Sequence, residues 1–296
     1  MKVLITGGSG FIGSNLAKYL VKNNQSVEII VRPTSNTEIF QEIRKKIIIY
    51  EHDGTSENMM SILKESKPDI VCHLASISIY DHNIENITSL IKSNILFGSQ
   101  LIECMVKNNI YRLINTGTFW QHYENKNNNP TCLYAATKQA FENIIKFYTE
   151  TTDLNVITLK LFDTYGPNDP RNKLFNFLKE SINKNQTINM TPGDQLIDIV
   201  YISDIIDAYI VSIERLLSDN NQKHEQFAIS SNKPIPLKSL IEKYLQITNK
   251  KADIIWGKKE YRKREVMVPW NTGKPLPDWN PKVSIEEGIK KIENFK

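Results

Sequence analysis

The chain has 296 residues, 40% of them hydrophobic, and a net charge of +4, so it is long enough to bury the core of one large domain or two closely joined ones. Its basic residues are scattered and no stretch approaches the roughly 20 apolar residues of a membrane span, so neither a nucleic-acid partner nor a membrane is expected. The first residues run directly into a strand pattern and the three cysteines are sparse and odd in number, which favours a reducing, cytoplasmic setting.

Six apolar runs of strand length alternate with segments of helical periodicity. The runs are continuous rather than alternating, as is typical of strands buried on both faces of a sheet. The predicted strands are 2–6, 26–31, 46–53, 69–75, 112–117 and 155–162. The predicted helices between them are 11–23, 55–66, 86–108 and 134–151. This order predicts an α/β fold, a Rossmann-type doubly wound parallel sheet with helices on both faces.

The regular alternation stops after the segment YGPNDP at 165–170. We therefore expect a Rossmann domain over 1–165 and a smaller C-terminal α/β domain over 166–197 and 218–296. The strand and helix pattern at 198–217 is expected to return to the Rossmann domain.

A glycine-rich turn, TGGSGFIG, follows the first predicted strand and opens the first predicted helix. Its spacing places Gly7, Gly10 and Gly13 where the backbone must turn sharply and approach a pyrophosphate. The free N–H groups of the helix N-terminus would face the negative charge. Because the strand, turn and helix occur in the required order, the segment predicts a dinucleotide site.

The end of the second strand bears on which dinucleotide is bound. NAD-binding proteins place an acidic residue there for the ribose hydroxyls, whereas this chain has Val31 followed by Arg32. A basic residue suits a 2′-phosphate, so NADP(H) is favoured, with NAD(H) as the alternative. Asp53 and Gly54, after the third strand, are expected near the adenine. No His, Cys or Asp cluster has metal-ligand spacing, so no metal site is predicted.

The segment YAATK places Lys138 four residues after Tyr134, on the same face of a helix. About one such pair is expected by chance in this composition, so its position carries the argument. A nearby ammonium would stabilise a phenolate and lower the pKa of the tyrosine, which suits acid–base chemistry. Thr116 and Thr118 end the fifth strand, and Thr116 is expected to hydrogen-bond a carbonyl oxygen where charge develops.

Several motifs together resemble the extended short-chain dehydrogenase/reductase family, in its NAD-dependent epimerase/dehydratase branch, which acts on nucleotide sugars. They are TGGSGFIG, HLAS, YAATK, YGPNDP, DIVYISDIIDAY and the closing LPDWNPKVSIEEGIKKI, and they span nearly the whole chain. The resemblance implies that Thr116, Tyr134 and Lys138 are catalytic and that the smaller domain binds a nucleotide sugar. It also implies a homodimer formed through a four-helix bundle of the helices at 86–108 and 134–151.

The resemblance further assigns binding residues. Those expected at the cofactor are Gly7, Gly10, Phe11, Ile12, Gly13, Arg32, Asp53, Gly54, Leu74, Ala75, Ser76, Asn94, Tyr134 and Lys138. Those expected at the substrate are Thr118, Asp163 and Arg262. Further basic residues expected near a diphosphate are Arg171, Lys173, Lys179 and Arg264, with a solvated charged surface as the alternative for the run at 258–265.

One departure narrows the reaction. Dehydratases of this branch carry Asp-Glu directly after the catalytic Thr, where this chain has Gly117 and Thr118. The run NTGTFWQHY is more similar to reductases of the CDP-abequose synthase type, which reduce C4 of a nucleotide-linked 4-keto-6-deoxyhexose for surface polysaccharide. The nucleotide (CDP, dTDP or GDP) stays open. The alternatives are an NAD-dependent nucleotide-sugar 4-epimerase and a non-catalytic dinucleotide-binding sensor.

Overall fold

The computed structural model describes residues 1–218 and 223–294. Segments 219–222 and 295–296, which belong to the range expected for the smaller domain, lie outside the described residues.

The strands and helices follow the chain in alternation. The strands are β1 (Lys2–Thr6), β2 (Ser26–Val31), β3 (Ile47–Glu51), β4 (Ile70–His73), β5 (Arg112–Thr118), β6 (Asn155–Leu161), β7 (Asp163–Tyr165), β8 (Ile188–Asn189), β9 (Leu196–Ile197), β10 (Ile199–Tyr201), β11 (His224–Ile229), β12 (Ile235–Pro236) and β13 (Ile254–Ile255). The helices are α1 (Phe11–Lys22), α2 (Ser56–Ser66), α3 (Asn86–Ile91), α4 (Phe97–Lys107), α5 (Leu133–Thr151), α6 (Leu174–Asn183), α7 (Ile202–Leu217), α8 (Leu237–Thr248) and α9 (Ile285–Asn294).

The main sheet has seven strands in the order β11-β6-β5-β4-β1-β2-β3, and every neighbouring pair is parallel. The order reverses between β1 and β4, so the carboxyl ends of these two strands open a crevice at the switch point. The predicted Rossmann-type sheet is confirmed.

Helices cover both faces of this sheet. Side chains alternate along β1, so Val3 and Ile5 join one buried cluster with Leu16 of α1 and Tyr209 of α7, while Leu4 joins another. That second cluster includes side chains from α2, α4 and α5. Segment 202–217 therefore packs on the main sheet, whereas Ile199–Tyr201, in the same predicted segment, pairs with β7 in a separate two-stranded sheet.

The strand β11 was not predicted, because its sequence HEQFAI begins with three polar residues. Two of them are nonetheless paired inside: Glu225 accepts from Arg215 at 2.7 and 2.8 Å, and His224 Nε2 lies 3.0 Å from Thr158 Oγ1. Residues 224–229 were expected in the smaller domain, but they pair with β6 at the edge of the main sheet. For these residues the expected boundary at 218 is wrong.

The predicted helix at 86–108 is continuous but irregular. A π-helical turn, Lys92–Leu96, separates α3 from α4, and Asn94 is fully buried within it. Such wide turns often occur at functional sites because they redirect one side chain without breaking the helix.

The remaining segments form three two-stranded sheets: β7 with β10, β8 with β13, and β9 with β12. They accompany α6, α8 and α9. The C-terminal tail is tied to α7, since Trp279 Nε1 donates to the carbonyl of Asp204 (2.9 Å) and the Asp204 carboxylate accepts from Lys282 and Val283. Within the described ranges, no helix is both long and apolar enough to span a membrane.

Candidate active site

The glycine turn joins β1 to α1 in a conformation that only glycine permits. Gly7 has a φ of +70°, and an added Cβ would lie 2.5 Å from the backbone nitrogen of Ala75. A Cβ on Gly13 would lie 2.4 Å from the carbonyl oxygen of Gly7. The turn closes through Gly10 N–H, which donates to that same oxygen at 3.0 Å. The N-terminus of α1 is therefore left bare of side chains on the side that faces the crevice.

Arg32 and Asp53 follow β2 and β3 at the same edge of the sheet. Arg32 is exposed, and the backbone turn that it starts is closed by Ser35, whose Oγ accepts the Arg32 N–H at 3.1 Å. The Asp53 carboxylate accepts from the N–H and hydroxyl of Thr55 (2.8 and 2.7 Å), which lowers the pKa of Asp53. Its carboxylate therefore helps to organise the start of α2.

A cleft at the carboxyl edge of the sheet brings together most of the predicted site residues. Its lining includes Gly7, Gly10, Phe11, Ile12, Gly13, Leu74, Ser76, Thr116, Thr118, Tyr134, Lys138 and Asp163. Six of the residues predicted at the cofactor or the substrate lie outside that lining: Arg32, Asp53, Gly54, Ala75, Asn94 and Arg262. Lys179 and Arg264, expected near a diphosphate, also lie outside it.

Tyr134 lies in the first turn of α5 and is only 9% exposed. Burial raises the pKa of Tyr134 to about 12, with the Cys132 thiol adding to the rise, while the neighbouring hydroxyls of Ser78, Ser76 and Thr118 oppose it. The expectation that Lys138 lowers this pKa is wrong for the protein without ligands. The phenol is held protonated, because taking its charge out of water costs more than these hydroxyls return.

Lys138, one turn further along α5, is 2% exposed, and its Nζ has no hydrogen-bond partner among the described residues. Burial lowers the pKa of Lys138 to about 8; the Glu142 carboxylate opposes this shift and Lys160 adds to it. A buried ammonium without a partner is costly, so it marks a place where a ligand's oxygens would be favoured.

The two threonines of β5 have different hydrogen-bond partners. Thr116 Oγ1 lies 2.6 Å from the hydroxyl of Tyr209 in α7, so this hydroxyl is already hydrogen-bonded to protein. Thr118, expected at the substrate, is the threonine beside Tyr134. Residues i and i+2 of a strand face the same side, so both threonines line the cleft, but the hydroxyl that is hydrogen-bonded to Tyr134 is that of Thr118. The catalytic role expected for Thr116 stays a prediction.

Asn94 acts on the protein rather than on the cleft. Its Oδ1 accepts from Ser76 Oγ (3.1 Å) and the N–H of Ile77 (2.8 Å), and its Nδ2 donates to the carbonyl of Ile77 and to Thr137 Oγ1, both at 2.9 Å. All of these partners are protein groups, so these hydrogen bonds give Asn94 a structural role, and the cofactor contact expected for it stays a prediction. Asn94 holds the loop after β4 against α5.

The far end of the cleft carries charges from the loop before α6. Lys173 Nζ lies 3.5 Å from Asp163 Oδ1 and 5.6 Å from the centre of the Trp120 ring. Arg171 lies over the Phe11 ring at 4.8 Å and is held by both oxygens of Asp169 at 2.7 Å. This end offers two cations and one carboxylate to a ligand.

Arg262 was expected at the substrate, but it pairs with Asp81 (3.1 Å) and lies over the Tyr80 ring at 4.3 Å. Arg264 in turn lies over Tyr123, also at 4.3 Å. The basic run therefore fastens the C-terminal segment to two loops beside the cleft. Among the described residues, no group of three or more His, Cys, Asp or Glu is arranged to hold a metal ion.

Sequence reasoning missed Ser78, Tyr209 and the buried residues beneath Thr118. Tyr209 lies 93 residues from Thr116 and no local motif connects them. Ser78 follows HLAS by two residues, so extending that motif would have found it.

A parallel Rossmann sheet with a glycine turn at its first helix and a tyrosine–lysine pair at its carboxyl edge has the architecture of a dinucleotide-dependent oxidoreductase. Residues 3–229 match the NAD dependent epimerase/dehydratase family. The chain therefore belongs to this family of NAD(P)-dependent oxidoreductase-type enzymes, as the motifs implied.

Relatives of known name cover almost the whole chain. A CDP-abequose synthase of Yersinia pseudotuberculosis is 31% identical over 278 residues, covering 91% of this chain and 92% of that protein. A UDP-glucuronate 4-epimerase of Thermodesulfobacterium geofontis is 27% identical, covering 99% of this chain and 95% of that one. Both are nucleotide-sugar enzymes, which places this chain among proteins that modify nucleotide sugars.

Solved structures share the fold. A UDP-glucose 4-epimerase of Thermotoga maritima, solved with UDP-glucose, has a TM-score of 0.83 and 24% identity, covering 99% of this chain and 98% of that chain. A UDP-glucuronic acid 4-epimerase of Bacillus cereus, solved with NAD and a substrate analogue, has a TM-score of 0.84 and 22% identity over the same shares.

Proposed function

We propose that the protein uses NADPH to reduce the C4 keto group of a nucleotide-linked 4-keto-6-deoxyhexose, a step in making surface-polysaccharide (O-antigen) sugars. The observation that carries the proposal is the protonated Tyr134 hydroxyl, which lies at the cleft beside Thr118 with no acidic residue directly after that threonine. A tyrosine that still holds its proton is the starting state for reducing a ketone.

The residues present fit a nicotinamide dinucleotide. The glycine turn leaves a cradle that a Cβ on Gly7 or Gly13 would fill, and the unpartnered Nζ of Lys138 suits ribose hydroxyls. When bound in its reduced form, the dinucleotide supplies the hydride. Arg32, at the end of β2, is proposed to hold a 2′-phosphate, which makes NADP(H) the favoured cofactor over NAD(H).

The chain's own residues then handle the proton. Thr118 would donate a hydrogen bond to the carbonyl oxygen, which gains negative charge as hydride reaches the carbon. Tyr134 would give its proton to that oxygen, which completes the alcohol. Lys138, mostly protonated near neutral pH, would stabilise the phenolate that remains.

Loss of water from the sugar is disfavoured whichever threonine of β5 is catalytic. If Thr116 is taken as the catalytic threonine, Gly117 and Thr118 follow it; if Thr118 is taken, Phe119 and Trp120 follow. Neither pair contains the acid and base that dehydratases of the branch carry at these positions. The cleft does include Asp163, but this carboxylate lies beside Lys173.

A 4-epimerase is the second candidate, because the UDP-glucuronate 4-epimerase relative matches 99% of this chain. An epimerase must first remove a hydroxyl proton, so its tyrosine has to work as a base, which a pKa of about 12 opposes in the protein without ligands. A third candidate, a non-catalytic dinucleotide sensor, would not need the tyrosine and lysine that this chain keeps.

The test is to mix purified protein with 4-keto-6-deoxyhexoses linked to CDP, dTDP or GDP and to follow NADPH by its absorbance. Stoichiometric NADPH loss, with one alcohol formed per NADPH consumed, supports the reductase. Interconversion of UDP-sugars without net NADPH or NADH change would identify the epimerase, and absence of any turnover would leave the sensor.

The assembly is proposed to be a cytoplasmic homodimer. The exposed apolar side chains Ile84, Ile87, Ile91, Leu96 and Phe147 lie on or next to the helical segment 86–107 and on α5, where a second copy would cover them. The segments 166–197 and 231–294 are proposed to bind the nucleotide sugar. Size-exclusion chromatography with light scattering tests the dimer, and a monomeric mass would contradict it.

A further inference from the structure

A chain of buried polar side chains runs from β6 to the backbone of Thr118. Lys160 Nζ donates to both carboxylate oxygens of Glu142 at 2.8 and 2.6 Å. Glu142 Oε1 also accepts from Gln121 Nε2 at 2.9 Å, and Gln121 Oε1 accepts the Thr118 N–H at 3.0 Å. The exposed fractions of Lys160, Glu142 and Gln121 are 0%, 4% and 0%, so water does not share in these bonds.

The arrangement leaves the Gln121 amide one orientation. Its Nε2 faces two acceptors, Glu142 Oε1 and Gln139 Oε1 (3.0 Å), while its Oε1 faces a donor, the N–H of Thr118. A rotated amide would set like groups against each other at the contacts with Glu142 and Thr118. Lys160 fixes Glu142, Glu142 fixes Gln121, and Gln121 fixes the backbone of Thr118, the threonine that lies beside Tyr134.

Gly117 shows how closely β5 approaches the hydrogen-bonded side chains of Lys160, Glu142 and Gln121. An added Cβ would lie 2.9 Å from Lys160 Cδ, 3.0 Å from Glu142 Oε1 and 3.1 Å from Gln121 Oε1. The residue that separates the two threonines is therefore glycine because the buried side chains occupy the space beside it.

Stability alone does not explain a buried ion pair of this kind. Desolvation of two charges offsets most of their attraction, and apolar replacements of such pairs are often neutral or stabilising. Unlike the pair formed by Arg215 and Glu225, the pair formed by Lys160 and Glu142 is connected by further hydrogen bonds to Thr118 at the reacting centre.

We propose that Lys160, Glu142 and Gln121 are positioning residues that hold Thr118 at the distance from Tyr134 needed for carbonyl reduction, an inference that rests on the proposed function. They touch neither substrate nor cofactor and act through the backbone of Thr118. None of the three lines the cleft, although Glu142 lies one turn after Lys138 on α5 and its carboxylate opposes the lowering of the pKa of Lys138.

The test compares two paired substitutions. Glu142→Leu with Lys160→Met removes the buried pair together, which leaves no unpaired charge. Glu225→Gln with Arg215→Met is the matched control, because Glu225 is equally buried and bonded to Arg215 but lies on β11, away from the cleft. Gln121→Met is a third variant that keeps the ion pair between Lys160 and Glu142 and removes the contacts of the Gln121 amide, including the one with Thr118. Each is measured for thermal unfolding, NADPH affinity by fluorescence, kcat and KM.

We expect kcat to fall roughly 10- to 100-fold in the Glu142/Lys160 variant and in Gln121→Met, since a displacement of about 1 Å costs that much. In Gln121→Met, which leaves the charges near Lys138 in place, the NADPH affinity and the KM should stay within about threefold, and the Glu225/Arg215 control should keep its kcat. An unchanged kcat in Gln121→Met would overturn the positioning role even if the double variant failed to fold. Equal losses in kcat and NADPH affinity would also overturn it. A wild-type protein without turnover would overturn the proposed function and this inference together.

Discussion

The glycine turn and the reacting centre lie at the same edge of the sheet, yet they are held in different ways. The turn is local: residues 7–13 are consecutive, and its shape depends on backbone contacts that exclude any Cβ. The reacting centre is assembled from separate segments, with Ser76 and Ser78 after β4, Thr118 at the end of β5 and Tyr134 on α5. The glycine turn is held by close backbone contacts that leave no room for side chains. The reacting centre depends on buried polar side chains that hold each of its segments in place.

This difference predicts that substitutions at the two regions fail differently. A change in the glycine turn should weaken cofactor binding and stability together, because the backbone itself must move. A change at the reacting centre should reduce kcat and leave cofactor binding nearly intact, because each side chain contributes one hydrogen bond or proton.

The largest effect is expected for Tyr134→Phe. Removing the proton donor should lower kcat by roughly 100- to 10,000-fold, with NADPH affinity almost unchanged. Tyr148→Phe is the control on the same helix, since its hydroxyl bonds only the exposed Glu103 (2.7 Å). Steady-state NADPH oxidation measures both, and a Tyr134→Phe enzyme with wild-type kcat would contradict the mechanism.

The next largest effect is expected at the two threonines of β5, whose substitutions should lower kcat to different extents. Thr118→Val should lower kcat by roughly 100-fold, which is typical for loss of one donor to a developing oxyanion. Thr116→Val should cost much less, because that hydroxyl is bonded to Tyr209 rather than placed beside Tyr134. The kcat values of the two variants, measured in parallel, show which threonine is catalytic. A larger loss of kcat for Thr116→Val would support the assignment of Thr116 made from the sequence.

In the glycine turn, Gly7→Ala should weaken NADPH binding and lower the free energy of unfolding by roughly 1–3 kcal/mol. Gly257→Ala is the control, since Gly257 also has a positive φ (+74°) but no atom within 4 Å of an added Cβ. Both are measured by thermal unfolding and NADPH titration. Equal losses in the two variants would mean that backbone strain, and not the contact with Ala75, accounts for the effect.

Lys138→Met should stabilise the fold while it removes activity. Because the pKa of Lys138 falls from 10.5 to about 8 on folding, the folded state binds fewer protons than the unfolded state between these values, and stability rises with pH there. Replacing the lysine removes a cost on the order of 3 kcal/mol below pH 8, and this advantage should shrink towards pH 10.5. Urea unfolding at several pH values tests it; a variant less stable than wild type at pH 7 would contradict the cost of burial.

The smallest effect is expected at the adenine end of the cofactor. Arg32→Ala should raise the KM for NADPH roughly tenfold, the value of one hydrogen-bonded charge at an exposed site, and leave the KM for NADH nearly unchanged. Equal changes for the two cofactors would remove the 2′-phosphate assignment.

By itself, the sequence determined what depends on consecutive residues. The parallel sheet followed from apolar runs alternating with helical patterns, and the glycine turn followed from three glycines between a strand and a helix. Tyr134 and Lys138 share one face of a helix, and they were recognisable because the pair follows the glycine turn and the threonines of the fifth strand in chain order.

Only the tertiary structure decided which groups meet. It set Thr118 rather than Thr116 beside Tyr134, paired Thr116 with Tyr209, and enclosed Lys160, Glu142 and Gln121 beneath them. It also placed the polar-looking strand β11 in the main sheet, where Arg215 neutralises Glu225. These outcomes depend on contacts between residues far apart in the chain, and on burial that raised the pKa of Tyr134, and neither has a local signal in the sequence.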